Sequence, residues 1–322
     1  MTSPHLTSSV RHVLEAATLA PSVHNTQPWR FVVREDGFDL LADAERRLSV
    51  LDPTGRQLHL SCGAALVTAR VAARALGLDA VVALLPDPDD PSLLARLRLE
   101  PGAPASDRDI ALALAVLRRH TVREAFEPRE VQPALLEDLR HAAEAEGAAL
   151  RVLTDEGDLV SLAVLLSGAD WAEERDPAYR RELSSWVRDG EEPDGIPRAA
   201  LPHDPARGSA LRMRDFELTH PERLTTGAPP EPEHPAVVVL TTAGDGPRAW
   251  LAGGQAMGAV LLRAAAAGVQ AQPLGQVTDL PGPRWALRGA LGLTGTPQMV
   301  LRMGYAKGVA GTPRRDLAEV IG

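Results

Sequence analysis

The feature that most constrains the fold of this chain is a pair of long segments built from small residues. The segments are SCGAALVTARVAARALGLDA at 61–80 and AGGQAMGAVLLRAAAAGVQA at 252–271. Small residues let a neighbouring backbone approach closely, so each segment is predicted to be a tightly packed helix. The glycine spacing matches, since Gly63 and Gly77 are 14 residues apart, as are Gly254 and Gly268. This match predicts an internal duplication, although Ala-rich helices are common and two of them can also match by coincidence.

The elements around the two helices mix strands with helices in both parts of the chain. In the first part the predicted elements are a helix at 11–19 ended by Pro21, strands at 29–33 and 38–41 around the turn Glu35-Asp36-Gly37, and strands at 80–85 and 94–100. In the second part they are a helix at 132–145 and strands at 150–153, 235–242 and 298–305. Strands do not alternate regularly with helices, which favours an α+β fold over a doubly wound sheet. We therefore predict two duplicated halves, 1–115 and 116–322.

Residues 186–234 differ in composition from the rest of the chain. They are rich in Pro, Gly and charge, and a structureless loop this long is unusual inside a compact domain. One interpretation is a flexible insertion, and the other is a lid over a binding site. Short apolar patches would anchor a lid; they are Trp186-Val187, Ala199-Ala200-Leu201, Leu211, Met213 and Phe216.

Composition excludes several classes of function. The 322 residues are 44% hydrophobic and 24% charged, as in a soluble globular protein, with a net charge of −9 and no dense basic run. A nucleic-acid partner is therefore not expected, because phosphates need a clustered positive surface. The single cysteine, Cys62, forms no intrachain disulfide, and no segment is apolar enough to span a membrane. With no signal-peptide pattern in MTSPHLTSSVRHVLEAA, these features favour a cytoplasmic protein.

Common catalytic motifs are absent from the sequence. No two of the nine histidines are three or four residues apart, and there is no Walker loop, Gly-x-Ser-x-Gly or Gly-x-Gly-x-x-Gly pattern. Two acidic pairs, Glu173-Glu174 and Glu191-Glu192, are interpreted as solvated surface, and Cys62 as a small core residue. If the protein is an enzyme, its chemistry is expected to come from a cofactor.

Two arginine clusters are candidates for an anion site. RRHTVREAF (118–126) spaces Arg119, Thr121 and Arg123 two apart around His120, so an extended segment would direct all three to one side. GTPRRDL (311–317) adds Arg314 and Arg315. Guanidinium groups with a hydroxyl suit a phosphate, although arginine clusters are also ordinary surface features.

The loop APSVHNTQPWRF (20–31) occurs only once in the chain. Ser22 and Asn25 can hydrogen-bond ligand hydroxyls or a phosphate. His24 can do the same, or it can be a solvent-exposed loop residue. Gln27 and Trp29 can equally be structural, since Trp29 begins a strand and is expected to pack in the core.

Together these segments resemble the FMN-dependent nitroreductases. RRHTVREAF resembles the family's phosphate-binding segment, and APSVHNTQPWRF its flavin loop with the trailing Asn-x-Gln-Pro-Trp. QPLGQVTD (272–279) is similar to the segment whose backbone N–H faces flavin N5, and PQMVLRMGYAKGVAGTPRR (297–315) to the last strand and C-terminal basic segment. The resemblance covers most of the chain except 186–234.

In that family FMN lies at a homodimer interface, with the arginines from one subunit and the loop from the other. Here the loop is in the first half and the arginines are in the second. The first half has no Arg-Arg-x-Thr-x-Arg, and HAAEAEGAALRVL (141–153) has no Pro-Ser-x-x-Asn loop. The resemblance therefore implies a nitroreductase-like fold fused into a pseudo-dimer with one flavin site, similar to the Acg-type branch, in which a lid covers the flavin.

The resemblance also implies a set of FMN contacts. The phosphate would be bound by Arg119, His120, Thr121, Arg123, Arg314 and Arg315; the loop contacts would be Pro21, Ser22, Val23, His24 and Asn25; and the N5 edge would face Pro273, Leu274 and Gly275. Many family members have an acidic residue where Gly275 stands, so only its backbone contact is carried over.

Two activities are consistent with this resemblance. The first is an oxidoreductase in which hydride from NAD(P)H passes through flavin N5 to a small nitro or quinone acceptor. The second is a protein that sequesters FMN under the lid with little turnover. Either would be a monomer that is itself a pseudo-dimer, or a homodimer of that unit.

Overall fold

The computed structural model describes residues 8–201, 211, 214–216, 233–306 and 311–322. The predicted lid anchor Met213 lies outside these residues. Up to residue 118 the elements are α1 (Ser8–Thr18), β1 (Trp29–Arg34), β2 (Gly37–Ala42), α2 (Arg56–Ala75), β3 (Leu78–Leu84), β4 (Leu93–Pro101) and α3 (Asp107–Arg118), so the predicted boundary at 115/116 lies inside α3. The second half contains α4 (Pro133–Ala145), β5 (Ala148–Leu153), α5 (Glu156–Arg175), α6 (Pro177–Ser185), β6 (Val187–Arg188), β7 (Ile196–Pro197), β8 (Ala236–Thr242), α7 (Pro247–Ala266), β9 (Gln270–Pro273), α8 (Gln276–Asp279), α9 (Pro281–Ala290), β10 (Thr296–Gly304) and α10 (Leu317–Val320).

The strands form two four-stranded antiparallel sheets with one shared topology. The first sheet has the order β1-β2-β4-β3 and the second β5-β8-β10-β9, so in each the strands run first, second, fourth, third. In both sheets a 20-residue helix, α2 or α7, connects the second strand to the third. The α+β prediction is confirmed. The repeated topology is what a duplication would produce, and the duplication itself stays an inference.

The two long helices pack against each other through a reciprocal contact. A Cβ on Gly63 would overlap the carbonyl oxygen of Leu251, and a Cβ on Gly254 would overlap that of Leu60. Gly63 lies three positions after Leu60 in α2, and Gly254 lies three positions after Leu251 in α7. The same glycine–leucine contact therefore occurs twice, with the two helices exchanged. Such reciprocity is the signature of a two-fold interface, here formed within one chain.

Both long helices end before the last residues of the segments that predicted them. α2 ends at Ala75 and α7 at Ala266, whereas the predicted segments continued to 80 and 271. Gly77 and Gly268 have φ of 73° and 78°, the left-handed conformation that terminates helices. The residues after each glycine form β3 and β9 instead.

The main core contains residues of both sheets and of helices α1, α2, α4 and α7, and it includes Trp29, Phe31 and Cys62. Cys62 is fully buried as predicted, and burial raises the pKa of its thiol. A second core packs α5 and α9 against the second sheet. Within the described ranges, no helix is both long and apolar enough to cross a bilayer.

Candidate functional site

The single polar loop and the first arginine cluster meet at one cavity. A cleft of about 900 Å³, counting its open mouth, adjoins a polar pocket of about 370 Å³. Both are lined by Pro21, Ser22, Arg119, His120, Thr121 and Arg123. Residues about 100 positions apart in the sequence therefore face the same space.

Pairing with the edge of the second sheet positions the arginine segment. After α3 ends, Val122 N–H donates to the Ala271 carbonyl at 3.1 Å, and Thr121 forms a parallel bridge with Ala271. His120 N–H donates to Gln270 Oε1 at 3.1 Å. The segment is therefore extended, so Arg119, Thr121 and Arg123 face the cavity while Val122 is buried.

Three guanidinium groups line this region, and no carboxylate among the described residues pairs with them. Arg119 is only 7% exposed and donates to the Leu19 carbonyl at 3.3 Å, while Arg123 donates to the Ala200 carbonyl at 3.3 Å. Arg314 donates to Asn25 Oδ1 and to several backbone carbonyls. In the part of the chain that the structure describes, none of the three forms an ion pair.

Burial without a counter-ion lowers the pKa of all three arginines. The pKa falls to about 10 for Arg119 and for Arg123, in both cases through desolvation. Desolvation, with repulsion from Arg119, lowers the pKa of Arg314 to about 9. Uncompensated buried cations are costly, so this pocket is suited to an anion.

Two residues predicted to contact the ligand face away from the cavity. Arg315 lies 3.6 Å from both Asp43 and Glu319 in ion pairs, and its backbone N–H donates to Gln27 Oε1 at 2.9 Å. Leu274 is buried in the second core, and its N–H donates to the Val300 carbonyl at 2.8 Å. Their neighbours Arg314, Pro273 and Gly275 do line the cavity or its polar pocket.

The loop that contributes to the cavity has a strained backbone. His24, Asn25 and Gln27 have φ of 46°, 55° and 50°, a left-handed conformation that is uncommon for residues other than glycine. Such strain costs on the order of 1 kcal/mol per residue and occurs mainly where the surroundings fix the backbone. A function for the loop is one reason for such an arrangement.

Hydrogen bonds to two distant segments hold the loop in this conformation. Asn25 Nδ2 donates to the carbonyls of Gly195 at 2.9 Å and Pro313 at 3.0 Å. Gln27 Nε2 donates to the Pro193 carbonyl at 2.8 Å, and Ser22 Oγ accepts from Gln27 N–H at 2.9 Å. Gln27 and Trp29 are both fully buried, and Trp29 packs in the core as predicted.

The described part of the 186–234 insertion forms a wall of the cavity. Ile196, Arg214 and Phe216 line it, and the Arg123 guanidinium lies 5.2 Å from the centre of the Phe216 ring. The predicted anchors Leu201 and Leu211 are buried. The lid interpretation itself stays a prediction.

His24 lies beneath these insertion residues. It is only 7% exposed, so the alternative of a solvent-exposed residue is wrong. Its Nε2 is 3.1 Å from Arg214 Nη1, and its ring meets that of Phe216 edge to face at 5.9 Å. Burial, Arg214 and Arg123 together hold the pKa of His24 well below its ordinary value. The imidazole is therefore neutral at physiological pH.

A buried ionic cluster at the same cavity was not predicted from the sequence. Arg214 Nη2 donates to Glu173 Oε1 at 3.1 Å and to Asp279 Oδ2 at 2.9 Å, and Asp279 also pairs with Arg56 at 3.3 Å. Glu173 is 4% exposed, so its predicted surface location is wrong, and burial raises its pKa. Gln57 of α2, also missed, lines the cavity and donates to Asp279 Oδ1.

Comparison with known proteins gives full-length relatives. No protein-family model matches the chain. A Mycobacterium tuberculosis protein provisionally named an NAD(P)H nitroreductase is 34% identical over 320 residues, which cover 97% of this chain and 91% of the relative. The protein of that organism provisionally named NAD(P)H nitroreductase Acg is 31% identical over 320 residues, or 98% of this chain and 95% of the relative.

Solved structures give partial matches. A nitroreductase with bound FMN from Desulfitobacterium hafniense is 14% identical with a TM-score of 0.42, and the match covers 65% of this chain and 96% of that one. An FMN-dependent nitroreductase from Mycobacterium smegmatis in complex with NADPH is 17% identical with a TM-score of 0.40, covering 66% and 97%.

Proposed function

The chain belongs to the NAD(P)H nitroreductase family that includes Acg of Mycobacterium tuberculosis, and from that premise we propose that it binds FMN and passes electrons from NAD(P)H to small nitro or quinone compounds. FMN combines a phosphate, a polyhydroxyl chain and a planar ring system. A site for it needs cations at one end and an apolar, ring-sized cleft at the other.

The observation that carries the proposal is a group of three cations that form no ion pair with any described residue. Arg119, Arg123 and Arg314 line the polar pocket together with the hydroxyls of Thr121 and Thr312. A phosphate dianion would supply the counter-charge that the described residues lack, and charge-assisted hydrogen bonds to its oxygens are strong. The donor set therefore fits the phosphate end of FMN.

The adjoining cleft fits the ring end. Met257, Leu261, Met299 and Phe216 give it apolar walls, while Gln57, Gln272 and Gln276 supply amides to hydrogen-bond ring heteroatoms. When bound, FMN supplies the two-electron chemistry. The chain's own residues would bind its phosphate and exclude water, and neutral His24 would not donate a proton as an imidazolium.

A second function, sequestration of FMN, is favoured by one observation. Ile196, Arg214 and Phe216 of the insertion line the same cleft as the proposed ring contacts. If these residues remain over the bound flavin, a nicotinamide cannot stack on it. The chain would then hold FMN without turning it over.

Absorbance measurements on purified protein test both functions. Protein that retains no visible flavin absorbance after FMN is added and free FMN is removed by desalting would refute both. Anaerobic NADPH separates them, because bleaching of the bound flavin supports the oxidoreductase and a stable yellow colour supports sequestration. The double variant Arg119→Ala/Arg123→Ala should lose FMN on desalting, and full retention would show that the phosphate is bound elsewhere.

A further inference from the structure

The contact between His24 and Arg214 determines which ring nitrogen of His24 carries the proton. Arg214 Nη1 lies 3.1 Å from His24 Nε2, and a guanidinium has only N–H donors. His24 Nε2 must therefore accept, and in a neutral imidazole the remaining proton is on Nδ1. The insertion residue Arg214 thus selects the Nδ1–H tautomer.

The Nδ1–H group is a buried donor without a partner among the described residues. His24 lines the cleft, and Phe216 packs edge to face against its ring, so a ring flip would break the Arg214 contact. Gln276 presents a second such group, since its Nε2 has no partner in the same set of residues and the side chain is 1% exposed. Gln276 lines the same cleft. Buried polar groups in native proteins nearly always have a hydrogen-bond partner, so these two donors call for one that the described residues do not supply.

The charges around these donors favour a neutral ligand. Arg214 is paired with Glu173 and Asp279, and Asp279 is also paired with Arg56. Two cations thus offset two carboxylates. Arg123, the other charged group near His24, belongs to the anion pocket. No uncompensated charge among the described residues is left for an ionic group beside His24 and Gln276.

We propose that His24, fixed in its Nδ1–H tautomer by Arg214, forms with Gln276 a subsite that donates hydrogen bonds to a carbonyl or nitro oxygen on a neutral planar ring. This inference rests on the proposed function, in which two molecules share that chemistry: the carbonyl-bearing ring of FMN and a separate quinone or nitro acceptor. His24 is then a specificity-determining residue.

Two substitutions at His24 show which ring nitrogen donates to the ligand, Nδ1 or Nε2. The amide nitrogen of Asn is as many bonds from Cα as Nδ1, whereas that of Gln matches Nε2. His24→Asn therefore keeps a donor near the Nδ1 position, and His24→Gln removes it. Both are polar, and Asn tolerates the left-handed backbone at this position.

Binding of three probes tests the proposal: FMN, 1,4-naphthoquinone and naphthalene, the last lacking oxygen. We expect His24→Gln to weaken the binding of an oxygen-bearing probe about tenfold, as for loss of one hydrogen bond. The affinity of His24→Asn for the same probe should stay within a few-fold of that of the wild type. Naphthalene binding should not distinguish the variants. A loss confined to FMN assigns the subsite to the flavin ring, and a loss confined to naphthoquinone assigns it to the acceptor.

Several outcomes would overturn the proposal. They are equal binding of both oxygen-bearing probes by the two variants, loss with His24→Asn but not with His24→Gln, or no binding of either probe by the wild type. Nitrogen-15 NMR of wild-type protein gives an independent check that needs no variant, since a proton on His24 Nε2 would also refute the proposal. Failure to bind FMN alone would refute the proposed function, and the naphthoquinone arm would still test the subsite on FMN-free protein.

Discussion

Replacing Arg119 with methionine should affect the FMN-free and FMN-bound protein in opposite directions. Burial lowers the pKa of Arg119 from its ordinary value to about 10, so below pH 10 the folded chain bears the cost of a charged group that its surroundings destabilise. The difference between the pKa values of the folded and unfolded chain corresponds to about 3 kcal/mol of stability. This cost disappears only as the pH rises through the pKa of the folded chain toward that of the unfolded chain. A methionine side chain at this position would keep an apolar stem of similar length without the charge.

The surroundings of Arg119 allow the change without loss of other contacts. Its one hydrogen bond to a described residue goes to the Leu19 carbonyl, which also accepts from Arg314 Nη2 at 3.2 Å. Replacing Arg119 should also remove its charge repulsion with Arg314, which contributes to the lowered pKa of Arg314. We expect Arg119→Met to raise the free energy of unfolding of FMN-free protein by up to about 3 kcal/mol at neutral pH.

The same substitution should weaken FMN binding about 10- to 100-fold, because it removes a hydrogen bond to a charged group. Urea unfolding with and without FMN measures both effects. Arg315→Met is the matched control, since Arg315 pairs with Asp43 and Glu319 and does not line the cavity. It should lower stability slightly and leave FMN affinity unchanged. The reasoning fails if Arg119→Met destabilises the FMN-free protein and binds FMN normally.

Two further predictions concern stability. Gly254→Ala should destabilise the protein by about 1–3 kcal/mol despite the higher helix propensity of Ala, because its Cβ would overlap the Leu60 carbonyl. Gly168→Ala, in α5 with nothing within 4 Å of its Cβ, should instead stabilise by up to about 1 kcal/mol; equal urea midpoints for the two variants would refute the packing argument. Burial raises the pKa of Asp52 to about 6, so its stabilising contribution is complete below pH 3.8 and is lost as the pH rises through 6. Asparagine at this position can still accept from Leu58 N–H, so the free energy of unfolding of Asp52→Asn relative to wild type should rise by about 3 kcal/mol between about pH 4 and about pH 7. A difference between the two proteins that does not change with pH would contradict this.

Local sequence patterns predicted much of the fold and part of the site. Alternating apolar residues indicated β1 and β2, small residues indicated α2 and α7, and the two-residue spacing of Arg119, Thr121 and Arg123 predicted that they face one side. These properties depend on a few neighbouring residues. The α5 helix was missed because its apolar residues are distributed all round it, leaving no single stripe.

The sequence could not predict contacts that depend on how distant segments meet. Arg214 contacts Glu173, Asp279 and His24, which are 41, 65 and 190 residues away, and nothing in any one segment specifies the others. Glu173 has an ordinary acidic context in the sequence, and only the approach of the insertion makes it a buried partner. The same holds for the tautomer of His24.

The order of residues is enough to show that this chain has one flavin-type loop and one cluster of arginines with alternate spacing, separated along the chain by one of two similar helices. It does not show which of the adjacent residues Arg314 and Arg315 lines the polar pocket and which pairs with Asp43 and Glu319. Both are the same residue type in the same short segment. Their different roles come from the side to which the folded backbone directs each side chain, and from whether a carboxylate or a cavity lies there.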